Sequence, residues 1–118
     1  MSKFVIEDAK NGVKFNLKAD NGETIAASEV YETAAACHKG IESVKKCAPT
    51  AKFADLTENE QATNPKFELY QDKRGRFRFR LRARNGQIIA VSEGYATKLS
   101  CLHGIESVQL SVPDAEIE

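Results

Sequence analysis

Between Phe77 and Arg84 apolar and charged residues alternate without a break: Phe77, Phe79, Leu81 and Ala83 against Arg78, Arg80, Arg82 and Arg84. A period of two over this length predicts a β-strand with one face buried and one in water. The same alternation stands earlier, with Val13, Phe15, Leu17 and Ala19 against Lys14, Asn16 and Lys18. Each alternating stretch runs into an Asn-Gly pair, Asn21-Gly22 and Asn85-Gly86, the signature of a tight hairpin. A two-residue loop would turn Ile88 and Ala90 toward the core. A three-residue loop with Gly86 left-handed would pair Ala83 with Gln87 and bury Ile89 and Val91. Ile stands at both 25 and 89, whereas Thr24 answers Ile88, so the pattern favours the bulged loop.

Superposing the two Asn-Gly pairs fixes an offset of 64, and residues 13–46 then match residues 77–110 at 17 of 34 positions without a gap. Phe4 answers Phe67 at an offset of 63, which places one gained or lost residue in the turn near Gly12 or Gly75. The chain is a duplication. Each copy predicts three strands and a helix. The first strand covers Phe4–Asp8 or Phe67–Gln71, and the helices begin after the N-cap candidates Thr33 and Thr97. They run to Cys47 and Leu110, with Pro49 and Pro113 as stops just beyond. Cys37, Ile41 and Val44, and again Cys101, Ile105 and Val108, form one apolar stripe per helix. Gly40 and Gly104 fall on that stripe, which predicts a close approach of the helix backbone to the sheet. The reading is α+β: a first repeat over 1–48, a linker over 49–65, a second repeat over 66–112 and an acidic tail over 113–118, all in one compact domain. The sheet is expected to be antiparallel throughout, with both helices on its apolar face.

The stretches "FELYQDKRGRFRFRLRARNGQIIAVSEGYATK" and "GIESV" resemble the YegP-like family of small uncharacterised bacterial proteins. The resemblance implies two βββα units merging into one antiparallel sheet, each helix packing across onto the other unit. It implies no catalytic residues. Lys39 and His103 stand where relatives often carry Asn before the helix glycine, and the helix endings "KKCA" and "QLSV" depart from the usual basic close.

Composition adds one asymmetry. Net charge is zero, yet residues 66–112 hold nine basic residues against four acidic ones, and all six arginines lie between Arg74 and Arg84. The first repeat is neutral, and the linker and tail are acidic. No apolar run approaches the ~20 residues needed to span a bilayer, and the N-terminus lacks a signal-peptide core. A cytoplasmic protein with no membrane association is expected. Three cysteines without a C-x-x-C pair argue against a zinc site or a disulfide framework and for buried small hydrophobes.

Candidate chemistry is sparse, and no cofactor, metal or catalytic residue is expected. His38 and His103 occupy non-equivalent repeat positions and predict surface decoration, and Cys101 with His103 two residues on points to different helix faces. Ser28-Glu29 and Ser92-Glu93 predict local turn hydrogen bonding where the third strand hands over to the helix. Tyr31 and Tyr95 are expected to pack at the same handover. What stands out is a row of Arg78, Arg80, Arg82 and Arg84, about 6.5–7 Å apart on one strand face, with Tyr70 beside it. Such a row suits phosphate or carboxylate recognition, unless the acidic linker and tail fold back to neutralise it. Three functions follow: a small non-enzymatic interaction module, a binder of nucleic acid or another polyanion through that face, and an enzyme with a site at the repeat interface. The partner would be nucleic acid or an acidic protein, and the duplication predicts a monomer with an internal pseudo-dimer.

Overall fold

The computed structural model describes residues 2–118. The first repeat contributes β1 (Lys3–Ala9), β2 (Gly12–Lys18), β3 (Thr24–Ala27) and α1 (Ala34–Cys47), followed by β4 (Lys52–Asp55). The second contributes β5 (Lys66–Gln71), β6 (Phe77–Arg82), β7 (Ile88–Val91) and α2 (Lys98–Ser111), followed by β8 (Glu116–Ile117). All eight strands lie in one sheet, in the order β4-β5-β6-β7-β3-β2-β1-β8. The two repeats meet at its centre, where Ala27 pairs with Val91 across antiparallel β3 and β7. The single sheet with two helices is as the sequence predicts.

The edges differ from that prediction. β4 runs parallel to β5, with Lys52 opposite Lys66 through Asp55 opposite Leu69. β8 runs parallel to β1 over Lys3 and Phe4. The sheet is therefore mixed and not wholly antiparallel. Residues 52–55, expected to be linker, are a strand, and the acidic tail supplies another. Both strands follow a helix and pair with the first strand of the opposite repeat. It is these strands that are exchanged between the repeats. Each helix straddles the seam: α1 lies over β2 of its own repeat and β7 of the other, and α2 over β6, β5 and β3.

The alternation of β2 and β6 sets the core. Phe4, Phe15, Phe67 and Phe79 are wholly buried, with Phe4 edge-on to Phe15 at 5.7 Å and Phe67 edge-on to Phe79 at 6.0 Å. Burying one such ring contributes about 2–3 kcal/mol. The helix stripes cover them, and Cys37, Ile41, Val44, Cys101, Ile105 and Val108 are all buried. Thr33 and Thr97 cap the helices as predicted, their hydroxyls accepting from the amides of Ala36 and Ser100 at 3.1 Å.

The Asn-Gly loops are the bulged, three-residue kind. The Ala83 amide donates to Gln87 O at 2.9 Å and Gly86 has φ +86°, with the same arrangement at Ala19, Glu23 and Gly22. A second irregularity follows at once, because Arg82 pairs with Ile88 whereas Leu81 pairs with Ala90. Ile89 is buried as expected, but beyond this bulge the faces interchange and Val91 turns to the outer side opposite Arg80. The residue that breaks the offset lies in the β5–β6 turn, where three residues separate Asp72 from Arg76, against two between Ala9 and Gly12.

Gly40 and Gly104 have a definite reason. A Cβ there would stand 2.7 Å from Cζ of Tyr31 or 2.9 Å from Cζ of Tyr95. Each tyrosine is wedged between helix and sheet, stacked on Phe15 or Phe79 at 6.3 and 6.4 Å. The close approach is to that tyrosine, lying over the sheet.

Candidate binding face of the sheet

The solvent face carries the alternate residues of each strand. On β6 these are Arg78, Arg80 and Arg82, and antiparallel pairing sets them opposite Tyr70, Glu68 and Lys66 of β5. Arg84 does not belong to the row; it lies past the end of β6, exposed in the Asn-Gly loop. Glu68 is the hub. Arg80 Nε donates to its Oε1 at 2.8 Å and Arg82 Nε to the same oxygen at 2.6 Å, while Lys66 Nζ stands 3.4 Å from Oε2. Burial works to raise the Glu68 pKa. The hydrogen bonds and charges of Arg82 and Arg80 outweigh it and hold the carboxyl at about 2.

Arg78 is held separately. Its Nε donates to Asp72 Oδ2 at 2.8 Å and its Nη1 to Ser92 O at 3.1 Å. The other Asp72 oxygen accepts from the amides of Arg74 and Arg76 at 2.9 and 3.0 Å. The hydrogen bond from Arg78, more than any other influence, keeps the Asp72 carboxyl below its ordinary range. Tyr70 is already stacked, since the Arg80 guanidinium carbon lies 4.6 Å from its ring centroid.

The row thus brings together three of the four predicted arginines and Tyr70, and answers them from within the same hairpin. Acidic residues of the linker and tail pair elsewhere, while the linker's Ala62 O accepts from Lys66 Nζ at 2.9 Å. Asp55 and Glu58 of the linker pair with Lys98 at 2.9 and 3.5 Å, and Glu118 pairs with Lys3 at 3.1 Å. Sequence reasoning passed over Glu68 and Asp72. The signal was present in the hairpin register: once Phe67 and Leu69 face Leu81 and Phe79, Glu68 must lie opposite Arg80.

In the first repeat the same face is lightly charged. Val5 stands where Glu68 does and Asn16 where Arg80 does, and Lys14 lies 3.7 Å from Glu7. Between the two patches, over the β3–β7 seam, is an open depression of about 390 Å³. Both repeats line it with equivalent residues: Ala27 and Val91, Lys14 and Arg78, Glu29 and Glu93. Val91 reaches it only because of the second bulge in β7.

The remaining candidates have structural partners. Ser28 Oγ accepts from the Phe15 amide at 2.9 Å and donates to Glu29 O at 2.7 Å; Ser92 does the same with Phe79 and Glu93 at 2.9 and 2.8 Å. His38 and His103 are exposed on the helices, while Cys101 is buried, its thiol pushed up to about 11 by that burial. Cys37 and Cys47 are likewise buried and free. Among the described residues no cluster of His, Cys, Asp and Glu is arranged to hold a metal ion, and no helix is long and apolar enough to cross a membrane.

A duplicated βββα chain joined at a central strand pair, each repeat closed by the strand that follows the other's helix, is a defined architectural class. The chain belongs to the family described as "Domain of unknown function (DUF1508)", which matches it twice, over residues 8–55 and 72–118. The first match takes in β4 and the second β8, and each begins after most or all of its repeat's first strand. The chain is 35% identical over 113 residues to the "UPF0339 protein in ptx operon 5'region" of Stutzerimonas stutzeri, covering 96% of this chain and 90% of that one. A UPF0339 protein of Treponema denticola is 58% identical over 52 residues, which is 44% of this chain and 90% of that protein. The solution structure of the Escherichia coli protein of unknown function yegP has the same fold, with a TM-score of 0.79 at 34% identity over 99% of this chain and 90% of that one.

Proposed function

We propose that this protein is a small non-enzymatic interaction module whose partner docks on the solvent face of the sheet, over the seam between the repeats. The observation that carries this reading is the shared depression, an apolar floor of Ala27 and Val91 ringed by Lys14, Arg78, Glu29 and Glu93. Such a surface suits one protruding side chain or loop of a partner: apolar at the tip, charged at the base. The Ser28 and Ser92 hydroxyls are engaged with main-chain groups, which favours binding over nucleophilic chemistry. A cytoplasmic setting belongs to the same reading and is supported by three buried, unpaired cysteines. So does a monomeric state, since β3 and β7 already join two equivalent halves within one chain.

Polyanion binding has weaker support, because Arg78, Arg80 and Arg82 are committed to Glu68 and Asp72. A pull-down from native lysate, with and without nuclease, tests the choice. A protein should be retained by the wild type in both samples and lost by the double variant Ala27→Arg, Val91→Arg. Retention that disappears with nuclease, or that survives the double variant, overturns the reading.

A further inference from the structure

The seam depression lies on a symmetry axis. Ala27 and Val91 are equivalent positions at the offset of 64, and they pair with each other across antiparallel β3 and β7. The local two-fold relating the repeats therefore passes through the floor. Each charge of the ring comes once on either side of it: Lys14 answers Arg78, and Glu29 answers Glu93.

These four charges are not equally available. Arg78 is held by Asp72 Oδ2 at 2.8 Å and by Ser92 O at 3.1 Å. Lys14 Nζ lies 3.7 Å from Glu7. Arg80, opposite Val91 in the ladder, is turned away to Glu68 and the Tyr70 ring. Glu29 and Glu93 are exposed, and neither carboxylate has an ion pair among the described residues. The charge of Glu93 does reach Arg78, but behind both the hydrogen bond and the charge of Asp72. An acidic group entering the depression would have to draw Arg78 from Asp72 and pass two carboxylates. A basic group meets two carboxylates that have no nearer partner.

We propose that the occupant of the depression is an extended segment of a partner protein with an apolar residue between two basic ones, at positions i, i+2 and i+4. This rests on docking over the seam and adds the chemistry of what docks there. The spacing follows from the strands. Glu29 and Glu93 each stand two residues beyond the central pair, in opposite directions, which sets them about 13–14 Å apart along the strand axis. An extended segment repeats its face every second residue, so its positions i and i+4 are also about 13–14 Å apart. The middle residue then rests on Ala27 and Val91, and a lysine or arginine reaches one carboxylate on each side. Two exposed ion pairs, each modest alone, act together with the burial of one apolar side chain.

Blocked peptides added to the full chain test the proposal, read by NMR shifts of the Ala27, Ser28, Val91 and Ser92 amides. One carries Lys-Thr-Val-Thr-Lys, a second Glu-Thr-Val-Thr-Glu, and a third Lys-Thr-Val-Lys-Thr, which moves one cation off the shared face. The first should bind about tenfold tighter than the second and about threefold tighter than the third, both margins shrinking as salt rises. Glu29→Lys with Glu93→Lys should reverse the order of the first two. Ala27→Arg with Val91→Arg should abolish binding of all three. Preference for the acidic peptide, equal binding of the first and third, or shifts that map elsewhere overturns the proposal. A chain that dimerises through the seam overturns it as well. So does a failure of every peptide to bind; if the Ala27→Arg, Val91→Arg variant still loses the lysate partner, docking over the seam stands and only its basic occupant falls.

Discussion

Phe15 and Phe79 occupy the same place in the two repeats, make the same edge-on contact with a neighbouring phenylalanine, and carry the same tyrosine stacked on the other side. Val5 and Glu68 also occupy one place, and there the repeats part: Val5 faces a neutral Asn16 across the hairpin, and Glu68 gathers Arg80, Arg82 and Lys66. Two of the arginines in that copy, Arg80 and Arg82, are therefore tied to a single buried carboxylate opposite them, and a third, Arg78, to Asp72. The two repeats share the packing of the buried face and differ on the solvent face, where the charges of the second copy form a paired set; a lone carboxylate there would be costly to bury.

The sharpest challenge to the shared core is to cut it twice. Phe15→Ala and Phe79→Ala should each cost about 3–5 kcal/mol in denaturant melts, equal to within about 1 kcal/mol. A large inequality would mean that the halves are not energetically equivalent. On the divergent face, Glu68→Ala should cost about 2–3 kcal/mol by stranding three cations, and Val5→Ala about 1 kcal/mol or less. The same Glu68→Ala protein should bind a polyanion column more tightly than wild type, because its guanidiniums are released.

Titration separates the halves in another way. The Glu68 carboxyl is held at about 2 in the folded chain, below its ordinary value of 4.5. A depressed carboxylate stabilises the fold above the unfolded pKa, and that contribution is lost as pH falls toward the folded one. Between about pH 4.5 and 2 the wild type should lose on the order of 2–3 kcal/mol from this group alone. Glu68→Gln should flatten that part of the profile. The smallest effect is expected at the fastening of β4: Lys98→Ala should leave the melting temperature almost unchanged and speed amide exchange in residues 52–58 only, read by NMR.

Much of this was legible in the chain. The alternation of β2 and β6 named its own buried face, and Ile25 with Ile89 chose the bulged loop over the tight one. Val91 was misplaced because the second bulge, after Arg82, leaves no mark in a four-residue strand. β4 was missed for a related reason: "KFAD" is too short to show a period and stands in a polar segment between Pro49 and Pro65. Its pairing with β5 is a tertiary fact. β8, at two residues, is shorter still. The pairing of Glu68 with the arginines follows only from the β5–β6 register, because the alternation of one strand gives its faces and not the cross-strand partner of each charge.

The exchanged edge strands give the chain an unusual kind of joint. Residues 52–55 leave the first repeat and finish the second, and residues 116–117 do the reverse. Each half therefore carries the other's last plank. A nick in the loop between Asn59 and Asn64 would leave two pieces bound by their borrowed edges as well as by the β3–β7 seam. Like a pair of clasped hands, such a molecule comes apart only when both grips are opened together.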